Sequence, residues 1–559
     1  MIEIEAGERA ALPEWLADVA EDQEEDAAAL HQAAGHPDLI ECRRTADLLV
    51  DFAQAHPGEE ADGWALDAML RVIQCAYAVV DGEVEEAAEC GRAAKGERAA
   101  MTLGRLESEG TAAAAADRLV ALDRETYELL QWYAGPWPVE WLFPPAKDAQ
   151  GRVVRPRIVV LFFGPGGLAH GVLRILRANV DMVGVDLDRG AVATSTAAGF
   201  RVIHADVTDL DPEHPCLQHV TGIALTPPCQ AYNPSGLRKG HYEGAIELIE
   251  HTVLEAAAAA GFHPVFTPEG GDVAPGCEDG YAPRLKMTWD EVREPLEQLE
   301  DARAGLMAEV VIWPLAMLAR GGSVEWVAVE QSSALPARIE AALMDRLIEA
   351  GWHTTEAFTL DAVDYGSASH RERRLMAAYR GERPFVDLTP SQPFPVTTFA
   401  ECVGWPTGRI YQTRGNRPVD PVTGRAKGGN ARSADLPSTC VTATAYGWKC
   451  AETGERITQE DIGRLVGFPA DYPWSYIPTR RGALGVRNKA QQAADVVCPM
   501  VSAALFGRIL GDRQWEAKTR AYVEELYRPT EVEEGGQMLL QTLFAHRIPA
   551  QSTGRTPAA

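Results

Sequence analysis

The spacing of apolar and polar positions divides the chain into two textures. Up to about residue 133, apolar side chains recur at three- and four-residue intervals, as in Leu66, Met69, Leu70, Ile73 and Tyr77, on a background of alanine and glutamate. That pattern predicts helices, with a further long helix inside Ser108–Leu130. Gly135-Pro136-Trp137-Pro138 and Trp141-Leu142-Phe143-Pro144-Pro145 break it and read as a linker docked by its aromatic rings. From Arg157 onward, short apolar runs alternate with helical segments. Ile158–Phe163 predicts a buried strand, and Gly164-Pro165-Gly166-Gly167 a tight turn into a helix over Leu168–Ala178. Met182–Val185 leads to Asp186, Arg201–His204 to Asp206, and Gly222–Leu225 to Thr226-Pro227-Pro228-Cys229. Alternation of this kind predicts an α/β fold with a parallel, doubly wound sheet.

Such sheets bind ligands at the carboxyl ends of their strands. A glycine turn after the first strand lets a cofactor approach the backbone. An acid after the second can accept hydrogen bonds from ribose hydroxyls, and one after the third can bond an adenine amino group. Each feature has a plainer reading, since an acid at a strand end is commonly a helix cap and a free cysteine is commonly inert packing. In this order they indicate a nucleoside cofactor. NAD accounts for the glycine turn and the first acid but gives no reason for Cys229, which two prolines place on a stiff backbone suited to holding a nucleophile.

From about residue 157 to 510 the chain resembles the DNA (cytosine-5)-methyltransferases. Leu161–Gly167 is similar to that family's S-adenosylmethionine loop, which implies cofactor contacts from Phe162, Gly164, Gly166, Gly167 and Leu168. Asp186 and Asp206 match its ribose and adenine acids, with Leu187 and Val207 beside them and Pro228 in the loop that follows. Pro227-Pro228-Cys229-Gln230 resembles the catalytic loop, implying Cys229 as nucleophile and Gln230 as a DNA contact. Asp301–Leu306 resembles the next block, a helix beneath the site. Glu330 of Val329-Glu330-Gln331 takes the place of the catalytic acid, and Arg371 and Arg373 those of the paired arginines, with Ser369 where the family has glutamine. Gly467-Phe468-Pro469 closes the block after the target-recognition region, and Gln492–Val501 resembles the helix that returns to the cofactor, bringing Asp495 and Val497. The resemblance implies a Rossmann-like methyltransferase sheet with a small target-recognition domain, S-adenosyl-L-methionine as cofactor, and no metal.

The chain also departs from the family. Val160 replaces an acid, Tyr232 and Asn233 a Phe and Ser, Gln331 an Asn, and Ala494-Asp495 a Gly-Asn. Asp495 adds negative charge near the amino-acid end of the expected cofactor. Cys229 and Glu330 are 101 positions apart, so an insertion at about 240–300 is expected, with helices near Glu243–Ala260 and Thr288–Leu299.

These residues suit covalent attack on a pyrimidine. A thiolate at carbon 6 breaks aromaticity and makes carbon 5 nucleophilic, while Glu330 neutralises charge on the ring and Arg373 bonds the base carbonyl. A stacked base is out of reach, so it must be flipped from the duplex. The Gly-, Pro-, Thr- and Arg-rich region at about 384–455 supplies a second wall. Its basic island of Arg409, Arg414, Arg417, Arg425, Lys427 and Arg432 faces a single acid, Asp420, and is expected to bind double-stranded DNA.

Charge sharpens this division. The chain carries −29, but residues 1–150 hold 32 acidic and 11 basic side chains, or −21, leaving only −8 on the other 409. The expected organisation is therefore an acidic helical accessory domain (1–150), a catalytic domain (151–383), a target-recognition region (384–455), a catalytic C-terminal part (456–527) and a disordered tail (528–559). The acidic face is either solvated or a site for a protein partner. With 46% hydrophobic and 24% charged residues, uninterrupted apolar runs of about ten, no signal-peptide pattern and ten cysteines without a Cys-x-x-Cys pair, the composition fits a cytoplasmic monomer, in a bacterial or phage-infected cell, that engages no membrane. Two alternatives stay open: the same chemistry on RNA or with a modified sulfonium donor, and a non-catalytic DNA- or partner-binding homologue.

Overall fold

The computed structural model describes residues 23–56, 58–108, 119, 122–233, 238–262, 287–381, 387–413, 431–475 and 485–528. The chain forms two compact units, one of Met1–Arg157 with Asp211–Thr221 and Ala316–Ser323, the other of the remaining residues.

In the first unit, helices Pro37–Ala55, Glu59–Asp81 and Val84–Ser108 share a core of Leu39, Cys42, Ala46, Leu49, Val72, Cys75, Ala76, Cys90 and Ala94. The buried stripe of Glu59–Asp81 is not the one the large apolar residues mark. Leu66 and Leu70 are exposed, whereas Ala61, Ala65, Ala68, Val72, Cys75 and Ala76 are buried. Small side chains let helix axes approach closely, so alanine faces the core and leucine does not. Of the long helix expected inside Ser108–Leu130, residues 109–118 and 120–121 lie outside the described residues. A separate helix starts at Arg124, where the Asp123 side chain accepts a hydrogen bond from the Thr126 amide and caps it. The Pro- and Trp-rich segment is built in rather than loose. Trp137, Trp141 and Phe143 are buried, and the Arg157 guanidinium donates to the carbonyls of Glu140, Trp141 and Phe143.

The second unit is organised on a seven-stranded sheet: β1 Arg157–Leu161, β2 Asp181–Asp186, β3 Val202–His204, β4 Val220–Leu225, β5 Trp326–Ser332, β6 Thr354–Asp361 and β7 Glu372–Tyr379, in the order β3-β2-β1-β4-β5-β7-β6. β2 pairs with β3, and β4 with β5, in parallel; β7 runs antiparallel between β5 and β6. The sheet is thus α/β and mostly parallel, as expected, with β7 running against both its neighbours. Helix Pro499–Leu510 is buried along nearly its whole length, and Met500, Val501, Ala504 and Phe506 share a core with Leu168, Val172, Ala224 and Trp326.

The insertion contains helix Glu243–Ala259 and the short helix Trp289–Arg293, with residues 263–286 outside the described part. A smaller sheet, β10-β8-β9 (β8 Ile410–Gln412, β9 Ala431–Ser433, β10 Lys449–Cys450), packs over Phe399, Tyr411 and Trp448, with Phe399 and Tyr411 stacked at 4.1 Å. Three stretches, Gly63–Asp81, Ala302–Ala319 and Asn488–Leu510, are long and apolar enough by composition to cross a membrane, more than the short uninterrupted runs suggest. The last two are 72% and 83% buried within the protein.

Candidate active site

The carboxyl ends of β1, β2, β3, β4 and β5 open onto one cavity of about 490 Å³, within the ~300–1,000 Å³ usual for ligand sites. Its first corner is the turn after β1. Phe162 is held at φ 60°, and its carbonyl accepts from Thr226 Oγ1 at 2.7 Å. Gly164, at φ 59°, has open space where a side chain would project. Asp186 fixes this turn: Oδ2 accepts from the Gly164 amide and Oδ1 from the Asp188 amide, both at 2.7 Å. Each oxygen keeps a lone pair for a ligand. Burial pushes the Asp186 carboxyl above its usual range, and the two backbone N–H groups oppose that rise.

Leu187 is 61% exposed, an apolar side chain left bare on the cavity wall. Asp206 uses Oδ1 to cap the turn at Thr208, and among the described residues Oδ2 takes no hydrogen bond. Val207 lies beside it, buried. Pro228 and Val497 also line the cavity. Gly166, Gly167 and Leu168, expected at the cofactor, instead pack the turn. A Cβ on Gly167 would stand 2.0 Å from the Val497 carbonyl oxygen, one on Gly166 would strike the Phe200 ring, and Leu168 belongs to the core.

The opposite end of the cavity holds Cys229, Glu330 and Arg371. The loop carrying Cys229 is pinned on both sides. Gln331 Nε2 donates to the Pro227 carbonyl at 3.2 Å, and the buried Tyr232 hydroxyl donates to the Ala304 carbonyl at 2.9 Å. Both departures from the family pattern thus have structural work here. Strand alternation explains the next pair. Glu330 lies opposite Leu375 and Ser332 opposite Arg373, so Glu330 and Arg373 share a face as diagonal neighbours.

Arg373 Nε stands 2.9 Å from Glu330 Oε1, with both residues buried. The contact is close enough for an ion pair but not aligned as a hydrogen bond, so both atoms keep bonding capacity for a bound group. Arg371 is buried, donates Nη1 to the Ala494 carbonyl at 2.6 Å, and leaves its Nε without a partner among the described residues. Burial pushes the Cys229 thiol above its ordinary pKa; Arg373 and Arg371 pull it down, while Glu330 and Asp495 push it up.

Gln230, expected at DNA, donates Nε2 to Asp495 Oδ1 at 3.2 Å across the cavity. Of the basic island, Arg414, Arg417, Arg425 and Lys427 lie outside the described residues. Arg432 is exposed on β9, and Arg409, beside β8, contacts Cys450 Sγ. The sequence reading missed Asp188, Thr226, Arg303, Asn488 and Gln491, all on the cavity wall. Asp188 had a signal as the cap before helix Arg189–Ala197, and Thr226 and Arg303 lie inside the Cys229 and Asp301–Leu306 stretches already singled out.

No protein-family model and no curated protein matches the chain. Among solved structures it is similar to the Entamoeba histolytica methyltransferase EhMeth, at 13% identity and TM-score 0.41, covering 64% of this chain and 98% of that one. A mutant of Spodoptera frugiperda DNMT2 gives 14% identity and TM-score 0.37, covering 64% and 99%. A putative DNA modification methyltransferase encoded within an E. coli prophage gives 12% identity and TM-score 0.38, covering 64% and 99%.

Proposed function

We propose that this chain is an S-adenosylmethionine-dependent methyltransferase acting on carbon 5 of a cytosine flipped out of double-stranded DNA. One observation carries the reading: a nucleoside-type corner (Gly164, Asp186, Leu187, Asp206) and a thiol with an acid and an arginine (Cys229, Glu330, Arg371) line the same cavity. The residues fit the cofactor. Open space at Gly164 admits a close approach to backbone, Leu187 offers an apolar face, and the two acids keep free lone pairs. When bound, the sulfonium supplies the methyl group that carbon 5 takes. Asp495 on the same wall favours a cationic donor end over one bearing an added carboxylate.

Cys229, as thiolate, attacks carbon 6 of the base. Negative charge moves into the ring, where a proton shared between Glu330 and ring nitrogen 3 neutralises it. Arg373, beside Glu330, holds the base carbonyl oxygen, and Arg371 braces the Ala494 carbonyl at the cavity wall. After methylation, water takes the carbon-5 proton, the double bond re-forms and expels the thiolate, and ring nitrogen 3 gives its proton back to Glu330, which regenerates the site. Burial raises the thiol, so the positive charge of Arg373 and Arg371 must work against burial to ionise it. The test is nucleoside mass spectrometry after incubating protein, duplex DNA and S-adenosylmethionine. 5-Methyl-2'-deoxycytidine formed by the unaltered protein and lost in Cys229→Ser supports the reading. A methylated adenine, methylated RNA only, or no product contradicts it.

A further inference from the structure

Helix Gly485–Asp495 ends on an acid, although the carbonyl end of a helix carries partial negative charge and favours cations. Three contacts offset this. Gln491, one turn earlier, donates Nε2 to Asp495 Oδ2 at 2.6 Å, and Gln230, the residue after Cys229, donates Nε2 to Oδ1 at 3.2 Å. Arg371 takes the neighbouring carbonyl of Ala494 at 2.6 Å, satisfying one of the unpaired acceptors that every helix end leaves. Asp495 is exposed to solvent where it lines the cavity, and desolvation by the surrounding wall pushes its carboxyl pKa up. The Gln230 amide has a fixed sense. Its Oε1 is buried with no partner among the described residues, and a flip would set that oxygen against the carboxylate.

We propose that Asp495 is a positioning residue: it grips Gln230 and so holds the Cys229 loop against the helix that walls the cavity. Before Cys229 the loop is fixed to the sheet side, through Thr226 on the Phe162 carbonyl and Gln331 on the Pro227 carbonyl. Gln230 instead reaches across the cavity, so the nucleophile loop and the Asn488–Asp495 wall close as one jaw. The inference uses the methyl-transfer reading only to name Cys229 as the nucleophile.

The test is alkylation of Cys229 by iodoacetamide in the full-length protein, without donor or DNA, followed across pH by peptide mass spectrometry. The plateau rate at high pH reports access to the thiol. The midpoint reports the charges around it, which are Arg373, Arg371 and Arg303 on one side and Glu330 and Asp495 on the other. Gln230→Ala is expected to raise the plateau about fivefold, on the scale of coupled neighbours. Asp495→Ala should raise it equally and lower the midpoint, because a carboxylate is gone. The double variant should be no faster than either single. Asp495→Asn keeps an acceptor for Gln230, so its plateau should stay near that of the unaltered protein while the midpoint falls. Unchanged plateaus in both single variants, or effects that multiply in the double, would overturn the grip. Because alkylation needs neither donor nor DNA, this outcome is separate from whether the protein methylates.

Discussion

Glu330 and Arg373 show how much depends on single side chains here. Both are buried, and each is the other's counter-charge. Removing one partner of a buried pair leaves an uncompensated charge, typically costing ~3–5 kcal/mol, whereas replacing both with apolar groups costs far less. Glu330→Ala should therefore lower urea stability by about that amount, and Glu330→Ala with Arg373→Met by clearly less. Additive losses would mean the two do not act as a pair. The thiol gives a pH signature. Because Cys229 is raised above its ordinary value, chiefly by burial, its thiolate fraction and alkylation rate should still be climbing above pH ~8.5, the range of a free thiol. Arg373→Gln removes a stabilising cation and should move the midpoint higher still; a downward shift would contradict the assignment of charges.

At the scale of elements, Asp186 joins the end of β2 to the turn after β1 by accepting from the Gly164 amide, while its other oxygen accepts from the Asp188 amide just beyond β2. Asp186→Ala should weaken donor binding by ~1–3 kcal/mol in titration calorimetry, the scale of lost hydrogen bonds to a charged group. Asp186→Asn, which keeps one acceptor, should lose less. Equal loss of DNA affinity in donor-free protein would point to a misfolded turn instead.

The strands that carry this corner were legible because buried strands are continuous apolar runs ending in polar residues. β7 was not legible as antiparallel, because Leu375–Tyr379 reads the same in either direction. The packing role of Gly166 and Gly167 was hidden for a different reason: it depends on Val497 and Phe200, which lie far along the chain or beyond the turn. Gln230 read as a DNA contact because its partner, Asp495, is 265 positions away. In the helical unit the eye follows leucine, while close helix packing selects alanine.

Arg157 draws its three carbonyl acceptors from residues 140–143. A chain beginning at Asp123 keeps them, and one beginning at Ala146 strands a buried guanidinium. The second should melt well below the first, and equal melting temperatures would refute this role for Arg157. Charge reversal at Arg432, exposed on β9, should weaken DNA binding and flatten its salt dependence by about one counterion per lost phosphate contact; an unchanged slope would remove β9 from the DNA surface. The central claim is that Cys229 bonds to the base itself. Fluorine at carbon 5 blocks the final proton loss, so a thiolate that has attacked carbon 6 stays attached. Incubated with S-adenosylmethionine and duplex DNA containing 5-fluorocytosine, the protein should form a denaturant-stable complex, with the modified peptide mapping to Cys229 and no complex in Cys229→Ala. A stable complex that survives Cys229→Ala, or none with the unaltered protein on DNA it methylates, would contradict the account.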